Sequence, residues 1–377
     1  MKIFFRVDAS SKIGSGHLMR CLTLSNALKN IVDSEITFIT KSTKIDYTDL
    51  IREQGFRVIS LTKPLNLSNS RNPLLTSSSN KFRTIDQAMD YKHTLKAIAK
   101  EGIINWLVID HYEIDYSWEK NFRGKVKKIM VIDDLANRKH DCDSILDQNW
   151  FQNKNYRYDS LVNKHCIKLL GPKYALLRSE FQKYRKLLNP LKKKNINRIF
   201  IFFGGSDNFS LTQMVLNVSS GNLYKNIFLD VVVGKSNNDI KLIRKLCKDR
   251  NLTNLHVQVK NIASIMSKAD LAIGAGGSTI WERMALNLES HVVISSDNQE
   301  QTVLALAKKN YINLIGYAKN INIQILSVYF KKWIINRTDI EKNYKINSMC
   351  DGAGAERVVN IMDLLNKKDF AKFTNFF

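Results

Sequence analysis

The sequence predicts an α/β protein with two Rossmann-like, doubly wound domains, and three observations support this. Short runs of β-branched and aromatic residues alternate with helical patterns along the chain, which is typical of parallel sheets with helices on both faces. Glycine-rich segments follow three of the predicted strands. The chain has 377 residues, 44% of them apolar, which is enough for two buried cores. We expect the domains to be residues 1–190 and 191–377.

The composition argues against several classes of protein. No apolar run reaches the roughly 18 to 20 residues of a membrane-spanning helix, and the chain begins with a charged strand rather than a signal peptide. The net charge of +23 is spread along the chain, and no nucleic-acid-binding motif accompanies it. We therefore expect a cytoplasmic protein with no nucleic-acid partner and no insertion into a membrane. A basic protein does attract small polyanions such as nucleotide-sugar diphosphates.

In the first domain, a glycine loop follows the first predicted strand and opens onto a helix. Gly14 and Gly16 allow a tight turn and a close approach of the backbone to a ligand, and the first turn of a helix favours an anion. His17 lies at the mouth of this loop. An imidazole accepts a proton near neutral pH, so His17 is a candidate general base. The alternative is an ordinary surface or capping histidine.

The spacing of this loop argues against a nicotinamide cofactor. A dinucleotide-binding fingerprint would place a small residue where Met19 stands, and an acidic residue where Thr40 and Lys41 end the next predicted strand. The five cysteines have no paired C-x-x-C spacing. We expect neither a cofactor nor a metal.

Further predicted strands of the first domain end in polar residues. These strands are residues 36–39, 57–59, 106–109 and 129–132. Asp8, Asp110, His111 and Asp133 follow strands directly, and ligands bind at the carboxyl ends of strands in open α/β sheets. Capping of the next helix is the alternative for each aspartate. We expect the polar residues 62–85 to form a loop that covers a site.

The second domain repeats the alternation after a predicted helix, residues 174–188, and a lysine-rich linker. Its predicted strands are residues 199–203, 228–233, 255–259, 271–273 and 291–294. Glycine loops follow two of them, at residues 204–207 and 274–279. We expect the two domains to face each other across a cleft, which is the GT-B architecture of nucleotide-sugar enzymes and a usual place for small ligands.

Several short motifs, taken together and in their order along the chain, are more specific than any glycine loop alone. The motifs are residues 5–8, 13–20, 147–149, 174–178, 203–207, 274–282, 298–299, 351–352 and 355–357. Together they resemble the UDP-sugar hydrolases of pseudaminic acid biosynthesis, and the resemblance runs from residue 1 to about 365. More distantly, the second domain resembles that of the peptidoglycan N-acetylglucosaminyltransferase.

This resemblance implies a metal-independent reaction in which water displaces UDP from the anomeric carbon with inversion. His17 matches the catalytic histidine of the family, which is proposed to activate that water. UDP leaves as a stabilised anion, so one base can suffice where ordinary glycoside hydrolysis uses two carboxylates. The free diacetamido sugar would then enter the synthesis of a nonulosonic acid.

The resemblance also implies which residues bind the substrate. The residues expected to bind UDP are Gly204, Gly205, Ser206, Gly276, Gly277, Ser278 and Glu282. Backbone N–H groups of the glycine loops suit a diphosphate, and Glu282 would accept hydrogen bonds from the ribose hydroxyls. The residues expected to contact the sugar are Gly14, Gly16, Asp8, Asn298 and Gln299, with Asp110, His111 and Asp147 as weaker candidates.

Several alternatives remain open at this point. Asp8 could orient His17 instead of binding sugar, Arg20 could either neutralise phosphate or face solvent, and Asn298 with Gln299 could simply cap a helix. A GT-B glycosyltransferase that uses a related UDP-sugar donor would share every donor-binding feature. A nucleotide-sugar-binding protein without turnover is a third hypothesis, but UDP binding alone would not require His17. We expect a monomer, and an aromatic tail (Phe370, Phe373, Phe376 and Phe377) that packs onto the first domain.

Overall fold

The computed structural model describes residues 1–9, 15–41, 47–61, 86–188, 196–235, 237–332 and 349–367. Residue contacts divide the chain into two compact units. Unit 1 consists of residues 1–147, 153–170 and the segment from Glu356 onward. Unit 2 consists of residues 148–152 and 171–355. The loop at 62–85, the linker residues 189–195, Gly14 and the aromatic tail lie outside the described residues.

These units differ from a single cut after residue 190 in three ways. Residues 148–152 already belong to unit 2, and the chain passes into unit 2 again at Gly171. The C-terminal helix (Gly354–Lys367) returns to unit 1 from Glu356 onward. Val358 and Ile361 of that helix are fully buried. Asn366 also accepts a hydrogen bond from the Asn105 side chain, at 2.9 Å.

Unit 1 is built on a seven-stranded sheet in which every strand pairing is parallel. Its strands are β1 (Lys2–Val7), β2 (Glu35–Lys41), β3 (Arg57–Leu61), β4 (Ile104–Asp110), β5 (Val126–Ile132), β6 (Ser144–Asp147) and β7 (Ile167–Leu170). The helices between them are α1 (Gly16–Ile31), α2 (Thr48–Glu53), α3 (Gln87–Ile98) and α4 (Tyr116–Lys120). Side chains on both faces of the central strands are buried, for example Phe4, Phe5, Leu107 and Val108, as expected of a parallel sheet covered on both sides.

The strand order of this sheet is β3-β2-β1-β4-β5-β6-β7, so the winding direction reverses between β1 and β4. These two strands pair in register, with Val7 opposite Asp110. In open α/β sheets, ligands bind in the crevice outside the carboxyl ends of the strands at such a reversal. Asp8 follows β1 directly and Asp110 ends β4, so both stand at this position.

Unit 2 is built on a second parallel sheet, of six strands. Its helices and strands are α5 (Ser179–Lys186), β8 (Arg198–Phe202), α6 (Leu211–Ser219), β9 (Phe228–Val233), α7 (Ile240–Asp249), β10 (Thr253–Val257), α8 (Ile262–Met266), β11 (Leu271–Ala275), α9 (Thr279–Ala285), β12 (Glu289–Ile294), α10 (Asp297–Lys308), β13 (Asn313–Tyr317) and α11 (Ile323–Phe330). Apolar clusters bury both of its faces, one around Ile201 and Val215 and the other around Phe200 and Trp281.

The order of this second sheet is β10-β9-β8-β11-β12-β13, which is the Rossmann order, with the reversal between β8 and β11. The 204–207 loop follows β8 and the 274–278 loop lies at the end of β11. Both glycine loops therefore stand at the reversal point of their sheet. The predicted fold class, two Rossmann-like α/β domains, is confirmed.

The helix predicted for residues 174–188 is shorter in the structure. Residues Pro172–Tyr174 form a single 3-10 turn, and α5 begins only at Ser179. Between them the chain is extended, and the Leu176 N–H donates to the side-chain Oε1 of Gln148 at 3.1 Å instead of to a helical carbonyl. None of the helices within the described ranges is long and apolar enough to cross a membrane.

Candidate active site

An open cleft lies in unit 1. The residues that line it are Asp8, His17, Asp110, His111, Tyr112 and Glu113. Asp8 follows β1, His17 is the second residue of α1, and the other four residues end or follow β4. We call this cleft the His17 cleft. It stands where the strand order of the first sheet reverses.

His17 is held by a carboxylate at the back of the cleft. Its Nδ1 lies 2.5 Å from Oδ1 of Asp110, a residue 93 positions further along the chain. The ring of Tyr112 meets the ring of His17 edge to face, with 4.4 Å between the ring centres. The imidazole is therefore restrained both by a hydrogen bond and by packing.

Arg20, one turn after His17 on α1, binds the same carboxylate with two of its nitrogens. Its Nε donates to Oδ2 and its Nη2 to Oδ1 of Asp110, each at 2.6 Å, and its Nη1 donates to Asp134 at 3.0 Å. The guanidinium is buried, so the alternative in which Arg20 faces solvent is wrong. Two-point binding of this kind is among the strongest charge-assisted interactions in proteins.

The ionisation of Asp110 decides which nitrogen of His17 carries the proton. Burial opposes ionisation of this carboxyl, but the charges and hydrogen bonds of Arg20 and His17 hold its pKa well below its usual range. An ionised carboxylate can only accept hydrogen bonds, so the proton between the two groups belongs to Nδ1 of His17. In neutral His17 the lone pair that accepts a proton is then on Nε2.

A second buried cluster lies beside this one and holds Asp8. Arg6 donates from its two Nη atoms to the two Asp8 oxygens, at 2.6 and 2.9 Å, and also binds Asp90. The Lys41 backbone N–H donates to Asp8 at 2.8 Å. Burial opposes ionisation of Asp8, but Arg6 and His111 hold its pKa well below the usual range. It is Asp110, and not Asp8, that orients His17.

His111 lines the same cleft, but its two ring nitrogens are both engaged. Its Nδ1 accepts the backbone N–H of Glu113 at 3.1 Å, and its Nε2 lies 3.2 Å from Asp8. By contrast, no group within the described residues hydrogen-bonds to Nε2 of His17. Of the two histidines in the cleft, His17 is thus the one with the geometry of a proton acceptor.

The remaining first-domain candidates are placed as follows. Gly16 begins α1, and a Cβ added there would meet no atom within 4 Å. Asp147 ends β6 and binds Arg157 at 3.1 Å, and it is not among the residues that line the His17 cleft. Tyr112, which also lines the cleft, was not predicted from the sequence because it belongs to no motif.

In unit 2, the 204–207 loop is fixed by backbone packing and by a capping aspartate. A Cβ on Gly234, which follows β9, would lie 2.5 Å from the carbonyl oxygen of Gly205, so the two backbones are in direct contact. Asp207 accepts the N–H groups of Leu211 and Thr212 at the start of α6, at 3.0 and 2.8 Å. Gly204 has a φ of +95°, which an L side chain rarely adopts.

The 274–278 loop is braced by the residue that was expected to touch the sugar. A Cβ on Gly276 would lie 2.4 Å from Val303 and 3.1 Å from Oε1 of Gln299. That same oxygen accepts the N–H and the hydroxyl of Ser295, at 3.1 and 3.2 Å. Gln299 therefore packs against Gly276, while its carbonyl oxygen is bonded to Ser295. Asn298 accepts the hydroxyl of Ser296 at 2.6 Å.

Two arginines surround Glu282 on α9. Arg178 Nη2 lies 3.7 Å from a carboxylate oxygen of Glu282, and Arg283 is buried with its Nη2 donating to the Ala275 carbonyl at 2.7 Å. Burial raises the pKa of Glu282 even though Arg178 opposes this shift. Burial also lowers the pKa of Arg283 to about 10.

The described residues contain no group of three or more His, Cys, Asp or Glu side chains arranged to hold a metal ion. All five cysteines are buried and free, and Cys21 donates to Asp110 at 3.5 Å. The chemistry that the His17 cleft offers is proton transfer by a histidine with a paired carboxylate.

Comparison with known proteins relates this geometry to a family. Residues 199–347 match the C-terminal domain of glycosyltransferase family 28. The chain is 30% identical over 312 residues to the UDP-2,4-diacetamido-2,4,6-trideoxy-β-L-altropyranose hydrolase of Campylobacter jejuni, with 82% of this chain and 98% of that protein covered. The chain belongs to the family of this hydrolase. The chain is also 28% identical to an uncharacterised protein of Methanocaldococcus jannaschii, and this match covers 80% of this chain and 57% of that protein.

Solved structures extend the comparison at the level of the fold. MurG of Acinetobacter baumannii superimposes with a TM-score of 0.60 at 12% identity and covers 96% of this chain and 99% of its own. The MnaA–UDP structure of Staphylococcus aureus gives a TM-score of 0.60 at 13% identity, with 97% of each chain covered. This member of the hydrolase family therefore has a GT-B-like fold.

Proposed function

We propose that this protein is a hydrolase that releases UDP from UDP-2,4-diacetamido-2,4,6-trideoxy-β-L-altropyranose. Membership of the hydrolase family supports the broader statement, that the chain is an enzyme acting on a UDP-sugar. The observation that carries the hydrolytic reaction is the His17–Asp110 pair, with Nε2 of His17 available to accept a proton. A protein that only bound the nucleotide would have no need of such a pair.

In the proposed reaction, Nε2 of His17 takes a proton from a water molecule while the oxygen of that water bonds to the anomeric carbon. The bond from that carbon to the diphosphate oxygen breaks, and its electron pair leaves with UDP. Attack from the face opposite the leaving group inverts the anomeric centre. Asp110 stabilises the imidazolium that forms, which is the role of a buried carboxylate behind a catalytic histidine.

The 204–207 and 274–278 loops are proposed to bind the diphosphate. Gly204, Gly205 and Ser206 follow β8, and backbone N–H groups of Gly276, Gly277 and Ser278 supply further donors. Interactions that strengthen as negative charge grows on the leaving group lower the barrier more than they stabilise the ground state. No metal ion is required for this role.

For the sugar we propose contacts from Asp8, Gly14 and Gly16. Asn298 and Gln299 are also proposed to contact the sugar. The free diacetamido sugar would serve as the substrate for condensation to a nonulosonic acid, the role that the resemblance to pseudaminic acid enzymes implies.

A glycosyltransferase is the second candidate function. The match of residues 199–347 to a glycosyltransferase C-terminal domain favours it, because donor binding is common to both reactions. In a transferase, His17 would take a proton from a hydroxyl group of the molecule that receives the sugar, instead of from water.

An NMR time course of the purified protein with the diacetamido UDP-sugar, in EDTA and without any acceptor, separates these functions. We expect UDP and free sugar to appear together, with the first-formed anomer inverted. Saturable UDP binding without turnover would contradict hydrolysis and favour the transferase.

Replacing Glu282 with glutamine should weaken UDP binding about tenfold, because a neutral amide accepts hydrogen bonds from the ribose hydroxyls less strongly than a carboxylate does. Binding should also weaken as the pH falls. The pKa of Glu282 is raised, so the ionised form is lost at a higher pH than for an ordinary glutamate. Isothermal titration calorimetry across a pH series measures both effects, and an unchanged affinity in the variant would remove Glu282 from the site.

Substitution of Gly234 by alanine should displace the 204–207 loop, since the new Cβ would lie 2.5 Å from the Gly205 carbonyl oxygen. We expect UDP affinity to fall at least about fivefold, with a loss of stability of about 1–3 kcal/mol. Gly221→Ala is the matched control, because its Cβ would meet only ordinary contacts beyond 3.5 Å. Equal UDP affinity in the two variants would show that this loop does not bind the nucleotide.

A further inference from the structure

Arg178 occupies an unusual position in unit 2, because it joins three elements that are far apart in the sequence. It is the residue before α5, and its Nη1 donates to the backbone carbonyl of Lys260, between β10 and α8, at 2.8 Å. Its Nη2 lies 3.2 Å from Glu180 and 3.7 Å from Glu282 on α9. The guanidinium therefore links the chain before α5, the loop before α8, and the glutamate proposed to bind ribose.

Glu180 completes this arrangement from the other side. Its carboxylate accepts the backbone N–H of Ala263 at 3.3 Å, near the start of α8, while it pairs with Arg178. The three charged side chains are Arg178, Glu180 and Glu282, all largely shielded from solvent. The Arg178 guanidinium is thus shared between the carboxylates of Glu180 and Glu282.

We propose that Arg178 is a positioning residue for the nucleoside, which holds Glu282 ionised and aimed so that its carboxylate can accept both hydroxyls of a ribose. This inference rests on the proposed function, since it assigns the ribose of UDP to Glu282. It adds the requirement that the ligand be a ribonucleotide with an intact 2′,3′-diol. Neutral Glu282, or a carboxylate turned away from the nucleotide, would lose that recognition.

The electrostatic environment of Glu282 supports this role. Burial and the neighbouring Glu180 raise its pKa, whereas Arg178 and Arg283 oppose the rise. Arg283 is engaged by backbone carbonyls of its own loop and helix, at Ala275 and Thr279. Within the described residues, Arg178 is the cation that contacts the Glu282 carboxylate from another segment of the chain. Its removal would therefore let burial and Glu180 raise the pKa of Glu282 further.

The test measures the affinity of the full-length protein for UDP and for 2′,3′-dideoxy-UDP by calorimetry. Glu282→Gln should weaken UDP binding about tenfold and leave the dideoxy analogue within about twofold of wild type. Arg178→Met should reproduce this pattern, with a UDP-specific loss of about five- to tenfold. Added to Glu282→Gln, Arg178→Met should cause little further loss, because it acts through the same carboxylate. Lys183→Met, an exposed position on α5, is the control.

The pH dependence adds a readout that a purely structural role would not change. In Arg178→Met the acid-side loss of UDP affinity should begin at a higher pH than in wild type. Glu180→Gln keeps an oxygen acceptor for Ala263 but removes the negative charge beside Glu282. In this variant the loss of UDP affinity should begin at a lower pH than in wild type. This second variant tests the inference even if Arg178→Met does not fold.

Three results would overturn the inference while leaving the proposed function intact. They are wild-type UDP affinity in Arg178→Met, an equal loss for UDP and its dideoxy analogue, and fully additive losses in the double variant. Failure of the wild-type protein to bind UDP at all would instead overturn the proposed function, and this inference with it.

Discussion

His17→Ala should lower kcat about 10²- to 10⁴-fold, while the dissociation constant for UDP changes less than about threefold. The loss is that expected for removal of a general base. The nucleotide is little affected, because the residues proposed to bind it belong to unit 2 and His17 belongs to unit 1. A large effect on kcat with a small effect on binding is the signature of a group that acts in the transition state.

His17→Asn sharpens this prediction. Its side-chain amide can keep a donor near Asp110, but it lacks the ring nitrogen that accepts the proton. We expect it to retain wild-type stability better than His17→Ala and to lose as much kcat. His165→Asn, an exposed histidine of unit 1, is the control. Steady-state release of UDP measures the rate, and normal turnover in His17→Asn would remove His17 as the base.

Asp110→Asn should lower kcat about 10²- to 10³-fold and also reduce the free energy of unfolding by about 3–5 kcal/mol. An amide offers one acceptor oxygen in place of two, and it carries no charge. The buried guanidinium of Arg20 would lose its main counter-ion, and the imidazolium of His17 would lose the anion that stabilises it. Both losses come from one substitution because Arg20 and His17 share this carboxylate.

The two effects of Asp110→Asn can be separated by a variant of the other carboxylate that Arg20 binds. Asp134→Asn removes the charge from a carboxylate that makes a single contact with Arg20, at 3.0 Å, and leaves the His17–Asp110 pair in place. We expect it to lose stability with less than about a tenfold change in kcat. Urea unfolding and UDP release give the two quantities. Equal losses of kcat in the two variants would mean that Asp110 acts only through the fold.

The pairing of His17 with Asp110 shows where sequence reasoning ends. The glycine loop and the alternation of strands and helices depend on local pattern, so both were predictable. That a carboxylate 93 residues away would reach Nδ1 of His17 depends on β4 lying beside β1, and on the register that sets Asp110 opposite Val7. The sequence marked Asp8 and Asp110 alike as polar residues at strand ends.

Strands β6, β7 and β13 were not predicted from the sequence, and the reasons are physical. β6 and β7 have only four residues each, too few for a period to be recognised. β13 contains Gly316, and the register with β12 shifts near that point.

Arg20 was left undecided between two roles because the helical spacing places it one turn after His17 but does not say what that face of α1 meets.

The return of the C-terminal helix to unit 1 affects how this chain is synthesised. Val358, Ile361 and Met362 are fully buried and belong to a unit whose sheet ends at Leu170, so the ribosome releases the last piece of unit 1 only after all of unit 2. At roughly 5–20 residues per second, that delay is about 10–40 s. During it, the apolar surface that this helix covers is available to chaperones, and a truncated chain ending at residue 190 would carry the same surface permanently.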